Sequence, residues 1–104
     1  MALCSFNNNY HMFDVTPVEN LFIQEFMLKA PGDFVKVYLY GLKQCYYPEY
    51  AENSLESFAK ALELEQEVVV NAFHYWERQG ILKIIEDEDG KFAVQYFNIK
   101  DILY

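Results

Sequence analysis

The sequence predicts a mainly α domain with a small β-hairpin, arranged as a winged helix-turn-helix with an extra N-terminal helix and arm. Three observations predict it. Apolar residues recur with helical spacing in four successive stretches between Pro17 and Gln79. After Gly80 the pattern changes to runs of branched and aromatic residues that favour strands. Between two such runs stands Asp89-Gly90, a strong hairpin signal. A short helix, a tight turn, a longer helix, a glycine and a hairpin, in that order, spell a helix-turn-helix with a wing.

Residues 1–15 read as an N-terminal arm. Asn7, Asn8 and Asn9 favour a flexible or docking segment, and Cys4 falls in that polar, loose tail. His11 to Val15 alternates loosely and predicts a short strand. Residues 16–98 make the winged-helix domain. Its first helix is expected from Pro17 to Leu28. Thr16 caps it, Pro17 suits the first helical position, and Glu19 stands where a capping-box carboxylate belongs. Ala30-Pro31-Gly32 breaks the chain. Asp33 is expected to cap a second helix over Phe34 to Tyr46. Phe34, Val35, Tyr38, Leu39, Leu42, Cys45 and Tyr46 form its broad apolar face, and Lys36, Tyr40 and Lys43 point the other way. Gly41 costs such a helix about 1 kcal/mol against Ala, which predicts a close helix crossing there.

Tyr46 to Glu52, with Pro48, is a loop. Asn53 or Ser54 caps a short third helix, with Glu56 reaching back. Leu55, Phe58, Ala59 and Leu62 line its buried side, and Leu62-Glu63-Leu64 turns the chain. The fourth helix, Gln66 to Gln79, buries Val69, Ala72, Phe73 and Trp76, and Gly80 ends it. Trp76 and Phe73 are the expected centre of the core. Ile81 to Ile85 and Lys91 to Phe97 are the strands, joined by the acidic turn Glu86 to Gly90. Asn98 caps a terminal helical turn, so residues 99–104 start a C-terminal helix or linker.

Composition narrows the function. Hydrophobic residues make up 53% and aromatics 18% of 104 residues. A chain this short buries only part of such a load. The surplus implies either a partner interface or a core unusually rich in Tyr and Phe. Sixteen acidic residues against eight basic give a formal net charge of −8, which repels DNA and anionic membranes at long range. Cys4 and Cys45 do not imply a disulfide scaffold, so a reducing compartment is expected. No run is long enough to span a membrane and no basic-then-apolar leader opens the sequence, which reads as cytoplasmic.

The order of several blocks carries a resemblance. Thr16-Pro17-Val18-Glu19-Asn20-Leu21-Phe22-Ile23 comes first, followed by Val35-Lys36-Val37-Tyr38-Leu39-Tyr40. Ala59 to Leu64 comes next, then Val68 to Leu82 with Tyr75-Trp76-Glu77 and Gly80. Together they resemble the N-terminal domain of DnaD-type bacterial replication-initiation proteins, over roughly Val15 to Phe97. The resemblance implies a winged helix used for self-association and for contacts within the primosome-loading machinery. It also implies that much of the DNA binding belongs to a second, C-terminal domain, before which these 104 residues end.

The outward face of the fourth helix carries Glu67, Val70, Asn71, His74, Tyr75 and Arg78. A DNA-reading helix presents basic or amide groups there. Only Asn71, Arg78 and His74 have that chemistry. From Glu49 to Arg78 two basic residues face seven acidic ones, which leaves this unit at −5. Glu86, Asp87, Glu88 and Asp89 add carboxylates at the wing tip, where a phosphate backbone would lie. Duplex DNA is therefore expected to bind this domain weakly or indirectly. The tip reads as a solvated turn or a contact for a basic partner, and its spacing is not that of a calcium loop.

The first helix is apolar on more than one side. Val18, Phe22, Ile23, Phe26 and Met27 cover a wide arc, with Leu21 and Leu28 nearly opposite. One side is expected to face the core and the other a second subunit. Phe6, Tyr10, Phe13 and Val15 offer an arm that either adds a strand to a neighbour's sheet or folds back onto its own wing. The expected oligomer interface is thus Phe6, Tyr10, Phe13, Val15, Leu21 and Leu28. Tyr40, Tyr46, Tyr47 and Tyr50 could stack on single-stranded bases, but Glu49 and Glu52 oppose Lys36 and Lys43, and core or interface packing fits better.

Catalytic constellations are missing from the sequence. His11 and His74 are far apart, no HExxH or CxxC spacing occurs, and there is no glycine-rich phosphate loop. Cys45 falls on a buried face, where thiols are inert. The expectation is a non-catalytic scaffold without cofactor or metal. Its partners would be itself, as a homodimer or higher oligomer, and other replication-initiation proteins, with no membrane contact. The rival readings are a winged-helix transcription regulator that binds DNA and a short phage-type replisome organiser.

Overall fold

The computed structural model describes residues 3–6, 14–52 and 54–100. They form a mainly helical domain with one small three-stranded sheet. Strand β1 (Cys4–Phe6) comes first, then a leading helical segment (Phe22–Phe26 and Met27–Lys29). Helices α1 (Gly32–Tyr46), α2 (Leu55–Leu62) and α3 (Gln66–Arg78) follow, and the hairpin of β2 (Leu82–Glu86) and β3 (Phe92–Tyr96) comes last.

The second half follows the sequence pattern closely. The Ser54 hydroxyl accepts the Ser57 amide at 3.1 Å and caps α2. Glu63 turns the chain in the left-handed region at φ 58°, and α3 begins three residues on. Gly80 closes α3 at φ 84°, a conformation glycine takes without strain. In the hairpin turn one Asp87 carboxylate oxygen accepts the amides of Asp89 and Lys91, each at 2.9 Å. Helix α1 starts one turn's edge earlier than expected, at Gly32. No side chain caps it: Pro31 is the capping residue, and Asp33 lies in the first turn, where the helix dipole favours its charge.

The first half departs from expectation. Cys4 is buried, not part of a loose tail, because β1 pairs in parallel with β3, Cys4 beside Val94 and Phe6 beside Tyr96. The sheet order is β1-β3-β2. Of the strand expected over His11 to Val15, residues 11–13 lie outside the described residues, and Asp14 and Val15 form no strand. Thr16 to Glu19 are not helical either. Glu19 does not serve a capping box. Its carboxylate accepts the amides of Ile99 at 2.8 Å and Lys100 at 3.2 Å, and caps the terminal turn together with Asn98.

The leading segment is not an ordinary α-helix. Phe22–Phe26 is wound as a π-helix and Met27–Lys29 as a 3-10 turn. Core-packed residues explain the winding: Leu21 with Phe26 and Phe22 with Met27 are each five apart, the spacing that wider turns bring onto one side.

The core is an aromatic cluster. Phe22 stacks on Tyr38 with ring centroids 4.1 Å apart, and both rings tilt onto Trp76, at 5.3 and 5.4 Å. Tyr96 meets Tyr38 at 4.9 Å. The polar tips are satisfied. Trp76 Nε1 donates to the Phe34 carbonyl at 2.8 Å, and the Tyr96 hydroxyl to the Tyr38 carbonyl at 2.9 Å. The buried face of α1 includes Val37 and Gln44, which its apolar stripe left out, while Phe34, Val35, Leu39 and Tyr46 are only half-buried.

Gly41 does mark a close approach, but to the sheet and not to a helix. A Cβ there would overlap the Tyr96 hydroxyl and lie 2.9 Å from Cys4 Sγ. Gly41→Ala therefore sets an overpacking cost of about 1–3 kcal/mol against roughly 1 kcal/mol of helix propensity, with net destabilisation expected in urea unfolding. Tyr96→Phe removes the overlapping oxygen. The double variant is expected to lose less than the sum of the single losses, and strict additivity would show that this contact does not explain the glycine.

Candidate interaction surface

Helix α3 presents fewer groups outward than its sequence implies. Glu67, Asn71, His74 and Arg78 are exposed and Val70 is half-buried. Tyr75 is turned towards the core's edge, its ring 5.4 Å from Phe34 and 4.9 Å from Trp76. It does not belong with the outward set. Glu77 also works internally: its carboxylate accepts the Ile84 amide at 2.7 Å. Ile84 lies on β2, an edge strand, so this bond occupies a backbone donor that a foreign strand would otherwise take. Tyr75-Trp76-Glu77 is thus a fastening of α3 to the start of α1 and to the hairpin.

At the hairpin tip Glu86, Glu88 and Asp89 are exposed, with Lys83 and Lys91 nearby in sequence and also exposed. Asp87 differs from its neighbours. The Lys91 amide, then that of Asp89, holds its carboxyl below the usual value of 3.8.

The leading segment does expose apolar side chains. Leu28 is 75% exposed, Ile23 37%, and Val15, just before the segment, 55%. Leu21 and Ile23 have exchanged the sides an α-helix would give them. Leu21 packs on the core and Ile23 faces out. Of the arm residues, Phe6 lies in β1, paired with the chain's own β3, which is the folded-back alternative. Tyr10 and Phe13 lie outside the described residues.

The tyrosines near the end of α1 are tied into the fold. Tyr40 donates to a Glu52 carboxylate oxygen at 2.7 Å and sets its ring edge-on to Phe58 at 5.2 Å. Burial, then the Glu52 hydrogen bond, pushes its phenol up to about 12. Gln44 Nε2 donates to the other Glu52 oxygen. Tyr47 accepts the Val15 amide at 3.0 Å, and Tyr46 lines a cleft of about 150 Å³ with Phe22, Tyr38 and Ile99. No open stacking platform results from Tyr40, Tyr46 and Tyr47. Cys4 and Cys45 are both free and buried, and burial pushes both thiols up, so neither is a ready nucleophile.

Sequence reasoning missed one surface. A groove of about 460 Å³ runs along the outer face of α1, lined by Thr16, Val18, Lys36, Leu39, Tyr40, Lys43 and Leu62. Lys36 Nζ donates to the Leu62 carbonyl at 2.6 Å, the last carbonyl of α2, and closes one wall. Lys43 Nζ stands 5.6 Å from the centre of the Tyr40 ring. The signal was present as Lys36, Leu39, Tyr40 and Lys43 at helical spacing, with Leu39 counted on the buried face and the other three on the face assigned to solvent.

Among the described residues, no group of three or more His, Cys, Asp or Glu is placed to hold a metal ion, and no helix is long and apolar enough to cross a membrane. No family model, curated protein or solved structure matches the chain.

The Asp87 turn gives a pH test. A carboxyl lowered by folding stabilises the turn above the ordinary aspartate value, and that contribution fades as pH falls below 3.8 through the folded value. Asp87→Ala is expected to speed hydrogen exchange at the Asp89 and Lys91 amides near neutral pH, measured by NMR. Unchanged exchange would assign the turn to its backbone bonds and Gly90 alone.

Proposed function

We propose that this chain is a winged-helix protein-docking module, non-catalytic and cytoplasmic, that self-associates and serves bacterial replication initiation in the manner of the DnaD-type proteins it resembles. Helix α2, its turn, α3 and the β2–β3 hairpin form the winged helix-turn-helix of this reading. The observation that carries it is the contrast between two surfaces. The face that a winged helix would turn to DNA offers Asn71, His74 and Arg78, beside Glu67 and a tip bearing Glu86, Glu88 and Asp89. Phosphates approaching it meet carboxylates at each end. The leading segment instead leaves Leu28 and Ile23 to solvent, the kind of side chain that subunit contacts cover.

The role in replication initiation draws its support from the resemblance of the ordered blocks between Thr16 and Leu82 to those proteins. The expected partners are a second copy and another protein of the initiation machinery, with duplex DNA bound weakly.

Sedimentation velocity tests the self-association. Association is expected at tens of micromolar, weakened by Leu28→Asp, an exposed change that leaves the core intact. A strict monomer at those concentrations would remove the self-association reading. Fluorescence anisotropy with duplex DNA tests the rival regulator: binding tighter than micromolar at physiological salt would favour it and count against the docking module.

A further inference from the structure

The groove on α1 has a charge and a spacing of its own. Lys36, Leu39, Tyr40 and Lys43 stand at i, i+3, i+4 and i+7, so they share one face of the helix. The two lysines are therefore about 10 Å apart along the axis, with the aliphatic Leu39 and the Tyr40 ring between them. Val18 and Leu62 complete an apolar floor. The groove's own lining holds two ammonium groups and no carboxylate, in a chain that has twice as many acidic as basic residues, while Asp14 and Glu49 border Lys43 on the side of an adjoining pocket. Lys36 spends one donor on the Leu62 carbonyl and keeps two others. Lys43 is exposed beside the Tyr40 ring.

We infer that this groove docks an acidic amphipathic segment of another polypeptide. Two adjacent aliphatic side chains of that segment lie on the floor of Val18, Leu39, Tyr40 and Leu62. Carboxylates three residues before the first and three after the second reach Lys36 and Lys43. The apolar floor supplies burial, and the two charges fix register. Nucleic acid fits the groove less well: phosphates find lysines there, but the floor is mostly aliphatic, with Tyr40 as the single ring among the lining residues for bases to stack on. The inference rests on the protein-docking reading and adds the chemistry of the partner.

The probe is a fluorescein-labelled synthetic helix in an Ala/Gln background, with two adjacent Leu flanked by Glu at i and i+7. A second version carries Lys in place of both Glu. Each is titrated into the full chain and followed by anisotropy at low and physiological salt. The Glu peptide is expected to bind, more weakly as salt rises. Lys43→Glu is expected to weaken it at least about tenfold, a change of 1.4 kcal/mol. The same variant is expected to gain affinity for the Lys peptide, which also shows that it is folded. Lys60→Glu, an exposed change on α2 outside the groove, is expected to leave binding unchanged. Equal binding of the two peptides, no binding of the Glu peptide at millimolar concentration, or an equal loss in Lys60→Glu would overturn the inference. Release of the peptide as the chain self-associates would assign the groove to a second copy and overturn it too. None of these results would disturb self-association measured by sedimentation, so the groove can fail while the docking module stands.

Discussion

Everything in this domain is arranged around the rings of Phe22, Tyr38, Trp76 and Tyr96. They come from the leading segment, α1, α3 and β3, so a single cluster ties together four elements that share no local hydrogen bonding. Each element is too short to persist alone in water. The cluster also sets orientation. Trp76 Nε1 and the Tyr96 hydroxyl both end on carbonyls of α1, at Phe34 and Tyr38, and a shift of α1 along its axis would break both hydrogen bonds together. Gly41 follows from the same constraint, because β3 can bring Tyr96 this close only where α1 has no side chain.

The half of the fold after Ser54 was legible in the sequence because its signals are local. A serine cap, a stripe at i, i+3, i+4 and i+7, two glycines at positive φ and an Asp-based turn each specify their own neighbourhood. The half before Gly32 was not, because distant residues decide it. Glu19 looks like a capping-box acid beside Thr16, yet its carboxylate binds amides at Ile99 and Lys100. Cys4 looks like part of a polar tail, yet Val94 and Gly41 provide its place. The winding around Phe22 was likewise missed, because Phe22, Phe26 and Met27 also fit an ordinary α-helical stripe and only the packing of Leu21 beside them distinguishes the wider turn.

The candidate surfaces were legible to the same degree. Exposure of Asn71, His74 and Arg78 follows from helical period, while Tyr75 and Glu77 could be placed only once Phe34 and Ile84 were seen beside them. The groove on α1 was hidden because Tyr40 counts as polar in a periodicity argument, although its ring serves as floor and its hydroxyl turns away to Glu52. Charge is similarly misleading when counted along the chain. Glu19, Glu52, Glu77 and Asp87 all spend their carboxylates on amides or side chains of the fold, so the acidic balance is partly scaffolding.

The parallel pairing of β1 with β3 has a consequence for synthesis. Cys4 and Val94 stand almost a whole domain apart in sequence, yet they are neighbours in the sheet. During translation the first strand is made long before its partner, so this pairing cannot form until β3 has been synthesised. A contact of such long sequence separation carries a high loop-closure cost. A chain ending before Phe92 would lack the strand that covers Cys4, and would leave uncovered a thiol that the finished domain conceals.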